Sequence, residues 1–190
     1  AVNTARRNFS GSGVQTAAII AGGQSATPPL TNSESYNGTS WSNTPTLGTA
    51  RSSIASGINA PSTAAVMFGG YLGPPYGPSQ LSVNTEEYNG TSWTGGGALG
   101  TAKYAGAACG ILTAGLIFGG LSPSLTAATE EYDGSSWTTG GVLNTAVNNS
   151  RGAGIQTSAL NIGGTTPSVT AVTELYNGTS WSTTASLATA

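Results

Sequence analysis

Histidine is absent from this chain and cysteine occurs once. The missing histidine removes His-based triads, the commonest general base and the commonest metal ligand. A single cysteine, Cys109, excludes an intrachain disulfide and any C-x-x-C zinc pair. It stands beside an apolar run and reads as a small buried hydrophobe. Charged residues are only 6% of the chain, against about 25% in a typical soluble domain. The basic residues Arg6, Arg7, Arg51, Lys103 and Arg151 are scattered. Phosphate recognition needs a cluster of cations, so nucleic acid is not an expected partner. No apolar run approaches about 18 residues, and no basic-then-apolar leader opens the chain, so neither a membrane span nor a signal peptide is expected. The sequence reads as a mature form or a segment of something longer. No phosphate-binding glycine loop is present. A two-carboxylate glycosidase is the one enzyme class the inventory allows. The acids recur symmetrically, however, which gives no pair of them different pKa values. No catalytic residue, cofactor or metal is expected.

What the chain does have is repetition. Tyr36-Asn-Gly-Thr-Ser-Trp41 returns as Tyr88-Asn-Gly-Thr-Ser-Trp93, Tyr132-Asp-Gly-Ser-Ser-Trp137 and Tyr176-Asn-Gly-Thr-Ser-Trp181. A period of roughly 45–50 residues marks a repeat architecture. Each copy opens on a Thr-Ala step, followed by Arg6, Arg51, Lys103 or, in the fourth copy, Val147. A short apolar run then ends in Gly-Gly, as in Ala64-Ala-Val-Met-Phe-Gly-Gly70. Such runs are strand-length and too short for a helix. Glutamate precedes each cassette tyrosine by two residues: Glu34, Glu86, Glu130 and Glu174. The Asn-Gly or Asp-Gly pair predicts a tight type I′ hairpin turn, with both central residues at positive φ. Each repeat therefore reads as four short antiparallel strands, with approximate boundaries at 1–46, 47–98, 99–142 and 143–190.

Four strands per repeat at this period describe a propeller blade. The Gly-Gly run, the Glu-x-Tyr step, the tryptophan after a turn and the Thr-Ala-Arg opening resemble the kelch family across nearly the whole chain. The resemblance implies an all-β fold: a four-bladed kelch-like β-propeller, each blade a four-stranded antiparallel sheet. The Tyr-to-Trp turn is shorter than in typical kelch repeats, and kelch propellers usually have six or seven blades. The shortened form looks like the degenerate repeats of bacterial surface proteins and bacteriophage fibre proteins. The last residues fall in phase with the first, since Thr189-Ala190 matches Thr4-Ala5. Two arrangements fit: a closed ring, or one unit of a tandem array.

Repeated aromatics at a fixed blade position read as wedges between sheets. Trp41, Trp93, Trp137 and Trp181, with Tyr36, Tyr88, Tyr132 and Tyr176, are therefore assigned to packing. The repeated glutamates either ring a channel and bind cations or pair with the basic residue opening a neighbouring repeat. Pairing with Arg6, Arg51 and Lys103 is preferred, because a partly buried carboxylate needs a partner. The Val147 copy then needs another donor. Glu87, Glu131 and Asp133 follow no complete pattern and read as solvated. Asn37, Asn89 and Asn177, with Asn8 and Asn148, are N-glycosylation sequons. The aspartate in the third cassette argues that the turn comes before the sugar. Variable loops on a rigid scaffold commonly carry binding, and the longest holds Tyr71 and Tyr76, candidates for a ligand or partner contact.

These features point to a non-catalytic extracellular structural or adhesive module in a fibre, filament or virion or cell-surface appendage. Its partners would be copies of itself or adjacent propeller units. A glycan-binding propeller using loop aromatics is the alternative, and a protein-interaction kelch module the third reading.

Overall fold

Each apolar run of the repeat forms the second strand of a four-stranded antiparallel sheet. A computed structural model describes residues 1–26, 28–75 and 77–189. Sheet 1 holds β1 (Ser10–Val14), β2 (Ala17–Ala21), β3 (Ser33–Tyr36) and β4 (Trp41–Thr44). Sheet 2 holds β5 (Ala55–Ser56), β6 (Val66–Phe68), β7 (Thr85–Tyr88) and β8 (Trp93–Gly95). Sheet 3 holds β9 (Ala107–Ile111), β10 (Ala114–Phe118), β11 (Thr129–Tyr132) and β12 (Trp137–Thr139). Sheet 4 begins with β13 (Arg151–Ile155) and β14 (Ser158–Ile162). A small hairpin, β15 (Thr165–Thr166) and β16 (Ser168–Val169), precedes its last strands, β17 (Thr173–Tyr176) and β18 (Trp181–Thr184). A 3-10 turn at Pro78–Gln80 is the one helical element among the described residues. The architecture is all-β.

Strand alternation gives each sheet two apolar faces. On the leading face, Phe68 of β6 meets Trp137 of sheet 3 edge-on, with ring centroids 4.9 Å apart. On the trailing face, Ile117 of β10 turns back to join Val66 and Phe68 of sheet 2. The core is thus a series of seams between consecutive sheets. Ala21, Leu47, Ile54 and Met67 fill the first. The third holds Leu116, Phe118, Leu143 and Val147 against Ala159 and Trp181.

Two backbone hydrogen bonds recur at these seams. Gly23 N donates to Arg51 O at 2.8 Å, Gly70 N to Lys103 O at 2.8 Å and Gly120 N to Val147 O at 2.7 Å. Glycine is needed here for two reasons. Gly22 and Gly23 have φ of 65° and 87°, which is accessible to glycine at little cost. A Cβ on Gly22 would also lie 2.7 Å from Arg51 O. The second bond forms a relay: Ser53 N to Asn8 O, Ala105 N to Ser53 O and Asn149 N to Ala105 O, at 2.7, 3.2 and 2.9 Å. All four relay residues are non-glycine with φ between 50° and 54°. Just beyond the relay, the first strands β1, β5, β9 and β13 line one cavity of about 340 Å³.

Sheets 4 and 1 face that same cavity but are not joined as the others are. Among the described residues neither recurring backbone bond links them, and no apolar cluster spans them.

Candidate functional site

The repeated glutamates sit on the third strand of each sheet, beneath the linker that enters the repeat. Glu34 accepts from Arg6 Nη2 at 2.5 Å and from the backbone N–H groups of Asn3 and Thr4 at 2.6 and 3.1 Å. Glu86 accepts from Arg51 Nη2 at 2.8 Å and from Gly48 N at 2.6 Å. Lys103 Nζ lies 3.0 Å from Glu130, which also accepts from Gly100 N. The three cationic side chains are fully buried. Each ion pair therefore lies within one repeat, not between neighbours as the sequence suggested. The linker crosses its own sheet before forming the first strand, and that brings the cation over its own glutamate. In the fourth repeat Asn144 replaces the cation. Its backbone N and Nδ2 donate to Glu174 at 2.8 and 2.9 Å, and Thr145 N adds a third bond. None of the four glutamates lines the central cavity.

Arg51 Nη1 also donates to Gly69 O and Asn84 O, at 2.6 and 2.8 Å. The guanidinium ties the Gly-Gly turn to the third strand. Burial pushes its pKa down, against the pull of Glu86. Removing one partner would leave the other charge buried without compensation.

The reading of Glu87 and Glu131 as solvated is corrected. Tyr132 Oη donates to Glu87 Oε1 across the seam between sheets 2 and 3. Tyr176 Oη donates to Glu131 Oε1 at 2.5 Å across the next seam. Burial, then these carboxylates, push both phenols up to about 12. The equivalent acceptor positions in sheets 1 and 4 hold Ser35 and Leu175. Tyr36 and Tyr88 instead donate to Gly38 O and Gly90 O of their own turns, at 2.9 and 3.1 Å. Asp133 is exposed but engaged. Its carboxylate accepts from the backbone N–H and hydroxyl groups of Ser135 and Ser136. Those bonds hold its pKa below the usual carboxylate range.

The cassette turn also departs from expectation. Only the glycines Gly38, Gly90, Gly134 and Gly178 have positive φ, so the turn is not type I′. Tyr36 pairs directly with Trp41, leaving a four-residue loop. Asn37 Oδ1 accepts from Thr39 N and Ser40 N at 3.0 and 2.9 Å. Asn89, Asp133 and Asn177 make the same pair of bonds. This is an Asx turn, which needs the side-chain oxygen and not a second left-handed residue.

Each cassette tyrosine lies against its tryptophan, with centroids 4.8 to 5.2 Å apart. Trp137 and Trp181 reach back across a seam, where Nε1 donates to Thr85 Oγ1 and Thr129 Oγ1 at 2.8 and 2.9 Å. Trp93 packs between sheets 1 and 2, and Trp41 is half-buried. Asn37, Asn89, Asn177 and Asn8 are exposed, whereas Asn148 is half-buried and its backbone pairs with Thr165. Tyr71 is buried and its ring is tilted against that of Tyr104, centroids 5.7 Å apart, so the loop does not present it. Tyr76 lies outside the described residues. Cys109 is buried opposite Leu116, and burial pushes its thiol up to about 12.

One leucine of the repeat drew no attention in the sequence. Leu47, Leu99 and Leu143 are 2%, 4% and 3% exposed, but Leu187, in the same position, is 47% exposed. The signal was the position itself, six residues after the cassette tryptophan in all four copies.

Among the described residues no cluster of three or more acidic, cysteine or histidine side chains assembles. No helix there is long and apolar enough to cross a membrane. No family model matches the chain, and no curated protein matches it.

Proposed function

We propose that the chain is a non-catalytic structural or adhesive module, a propeller unit of a fibre, filament or similar appendage outside the cell. In this reading the four sheets are blades of a kelch-like β-propeller around the shared cavity. The observation that carries it is where the reactive side chains go. The four repeated glutamates, their cations, Glu87 and Glu131 all hold linkers and seams in place. The surface left over is rich in serine, threonine, asparagine and glycine. Such a surface packs against copies of itself with little electrostatic repulsion. The unjoined faces of sheets 4 and 1 favour a unit of an array over a free closed ring.

The test is electron microscopy with sedimentation velocity on the purified chain over a wide concentration range. Elongated assemblies that grow with concentration are expected. Dispersed monomers at the highest concentration would overturn the proposal.

A further inference from the structure

We propose that sheet 2 carries a binding site for a primary carboxamide, the group borne by asparagine and glutamine side chains, in the cavity beside Gly48. The site lies apart from the seams and does not depend on the structural role proposed above.

Asn3, Gly48, Gly100 and Asn144 are equivalent linker residues. The backbone N–H of each donates to the repeated glutamate of its own sheet, at 2.6, 2.6, 2.6 and 2.8 Å. Where asparagine stands, its side chain shows what the space beside that N–H accepts. Asn144 Nδ2 donates to Glu174 Oε2 at 2.9 Å and to Trp181 O at 3.1 Å. Asn3 Nδ2 donates to Trp41 O and to Asn43 Oδ1, both at 3.3 Å. In two repeats, then, one amide nitrogen bridges the linker to the first residue of the fourth strand. The register defines a second wall of the same space. The fourth-strand residues paired with Glu34, Glu86, Glu130 and Glu174 are Asn43, Gly95, Thr139 and Thr183. Of the four sheets, sheet 2 alone has glycine at both places. A cavity of about 360 Å³ opens there, and Gly48, Thr49, Asn84, Glu86, Trp93 and Gly95 are among its walls. A Cβ on Gly48 would meet only Glu86 Oε2, at 3.4 Å, and one on Gly95 would meet nothing within 4 Å. The backbone stays in place, since Gly48 N keeps its bond to Glu86. Only the side chains are missing.

The acceptors that Asn144 uses in sheet 4 correspond to Glu86 Oε2 and Trp93 O in sheet 2. A carboxamide nitrogen carries two donors and serves both acceptors at once. A single hydroxyl carries one donor and leaves the other acceptor unmet. An ammonium brings a charge that nothing balances, because Glu86 already faces Arg51 Nη2 at 2.8 Å, and its desolvation is costly. The amide oxygen has a partner as well. Asn84 Nδ2 donates to Thr49 Oγ1 at 3.0 Å, which leaves the threonine hydroxyl hydrogen to donate to that oxygen. The cavity is roomier than one asparagine side chain and falls in the size range of small-ligand pockets. It therefore has space for the group that carries the amide.

Saturation-transfer NMR tests this, since it reads the ligand's protons whatever the size of the assembly. The probe is N-acetylasparagine methylamide, with N-acetylalanine methylamide as the control. Saturable transfer to the asparagine side chain is expected, with none to the alanine compound. Acetamide should compete. If it needs a higher concentration than the asparagine probe, the site prefers an amide carried on a chain; if it competes at the same concentration, a free amide suffices. Either result supports a carboxamide site. Gly48→Asn supplies the amide from within, and Gly95→Asn restores the residue of sheet 1 at the other wall. Each should keep the wild-type circular dichroism spectrum and lose the transfer. Sedimentation of Gly48→Asn should match wild type, so this site and the structural role are read separately. No transfer, equal transfer to the alanine compound, or transfer that survives in both variants would overturn the proposal. So would transfer to glucose where the amides give none, which would assign a polyol instead.

Discussion

The seam between sheets 3 and 4 and the outer face of sheet 4 use the same repeat positions for opposite ends. Leu143 is shut beneath Val147 and sheet 4, while Leu187 stands in solvent. Phe118 meets Trp181 with centroids 4.7 Å apart, while Ile162, its counterpart, is half-buried. Burying a leucine side chain is worth about 1.5–3 kcal/mol. Leucine occupies this position in every copy, so the difference between Leu143 and Leu187 lies in the neighbour. A repeat protein's stability is the sum of unit and interface terms, and one interface here is left without its second half.

The comparison is sharpest where an interaction should be indifferent to it. The ion pairs lie inside single repeats, so Arg6→Ala at the open end and Arg51→Ala at a packed seam should cost about the same, roughly 3–5 kcal/mol each. Urea unfolding measures both, and a much smaller cost for Arg6→Ala would show that its burial depends on a neighbouring sheet. Leucine should split the two regions. Leu143→Ala should cost about 2–5 kcal/mol through lost burial and a cavity, and Leu187→Ala less than about 0.5 kcal/mol in the monomer. Equal losses would mean that sheet 4 is covered in solution. The tyrosines should split more gently. Tyr176→Phe should cost about 1–2 kcal/mol by leaving Glu131 without its donor. Tyr36→Phe loses only an exposed bond to its own turn and should be close to neutral.

The smallest effect is in alkali. Tyr132 and Tyr176 are raised from 10.0 to about 12, so the fold favours the protonated phenol. Their contribution is fully present below pH 10 and is lost as pH rises towards 12. Cys109, raised from 9.0 to about 12, acts in the same direction from pH 9 upward. Stability measured by chemical denaturation should fall across this range, and the fall should be shallower in Tyr176→Phe. An unchanged slope would separate the phenol from the seam.

The sheets were legible in the sequence because each is announced four times. Gly-Gly after an apolar run, Glu-x-Tyr and Trp mark the second, third and fourth strands in every copy. The features that distinguish one seam from another were not legible. Glu87 and Glu131 occupy a position that is serine in the first copy and leucine in the last, so no full pattern marked them as acceptors for Tyr132 and Tyr176. Leu187 was hidden for the opposite reason: it matches its three counterparts, and only the missing neighbour separates it. The Asn-Gly dipeptide suggested a two-residue hairpin because dipeptide statistics are local. Loop length is set instead by the pairing of tyrosine with tryptophan.

The Asx turns have a consequence for the protein's ageing. The oxygen that organises each turn is one that asparagine and aspartate share, and Asp133 already makes the same two backbone bonds as Asn37, Asn89 and Asn177. Hydrolysis of those three side-chain amides to aspartate would keep every turn bond and add three negative charges to a chain whose net charge is −2. Normally linked aspartate at these sites would therefore leave the turns intact, whereas the isoaspartate that Asn-Gly steps also form would lengthen the backbone and break the turn bonds.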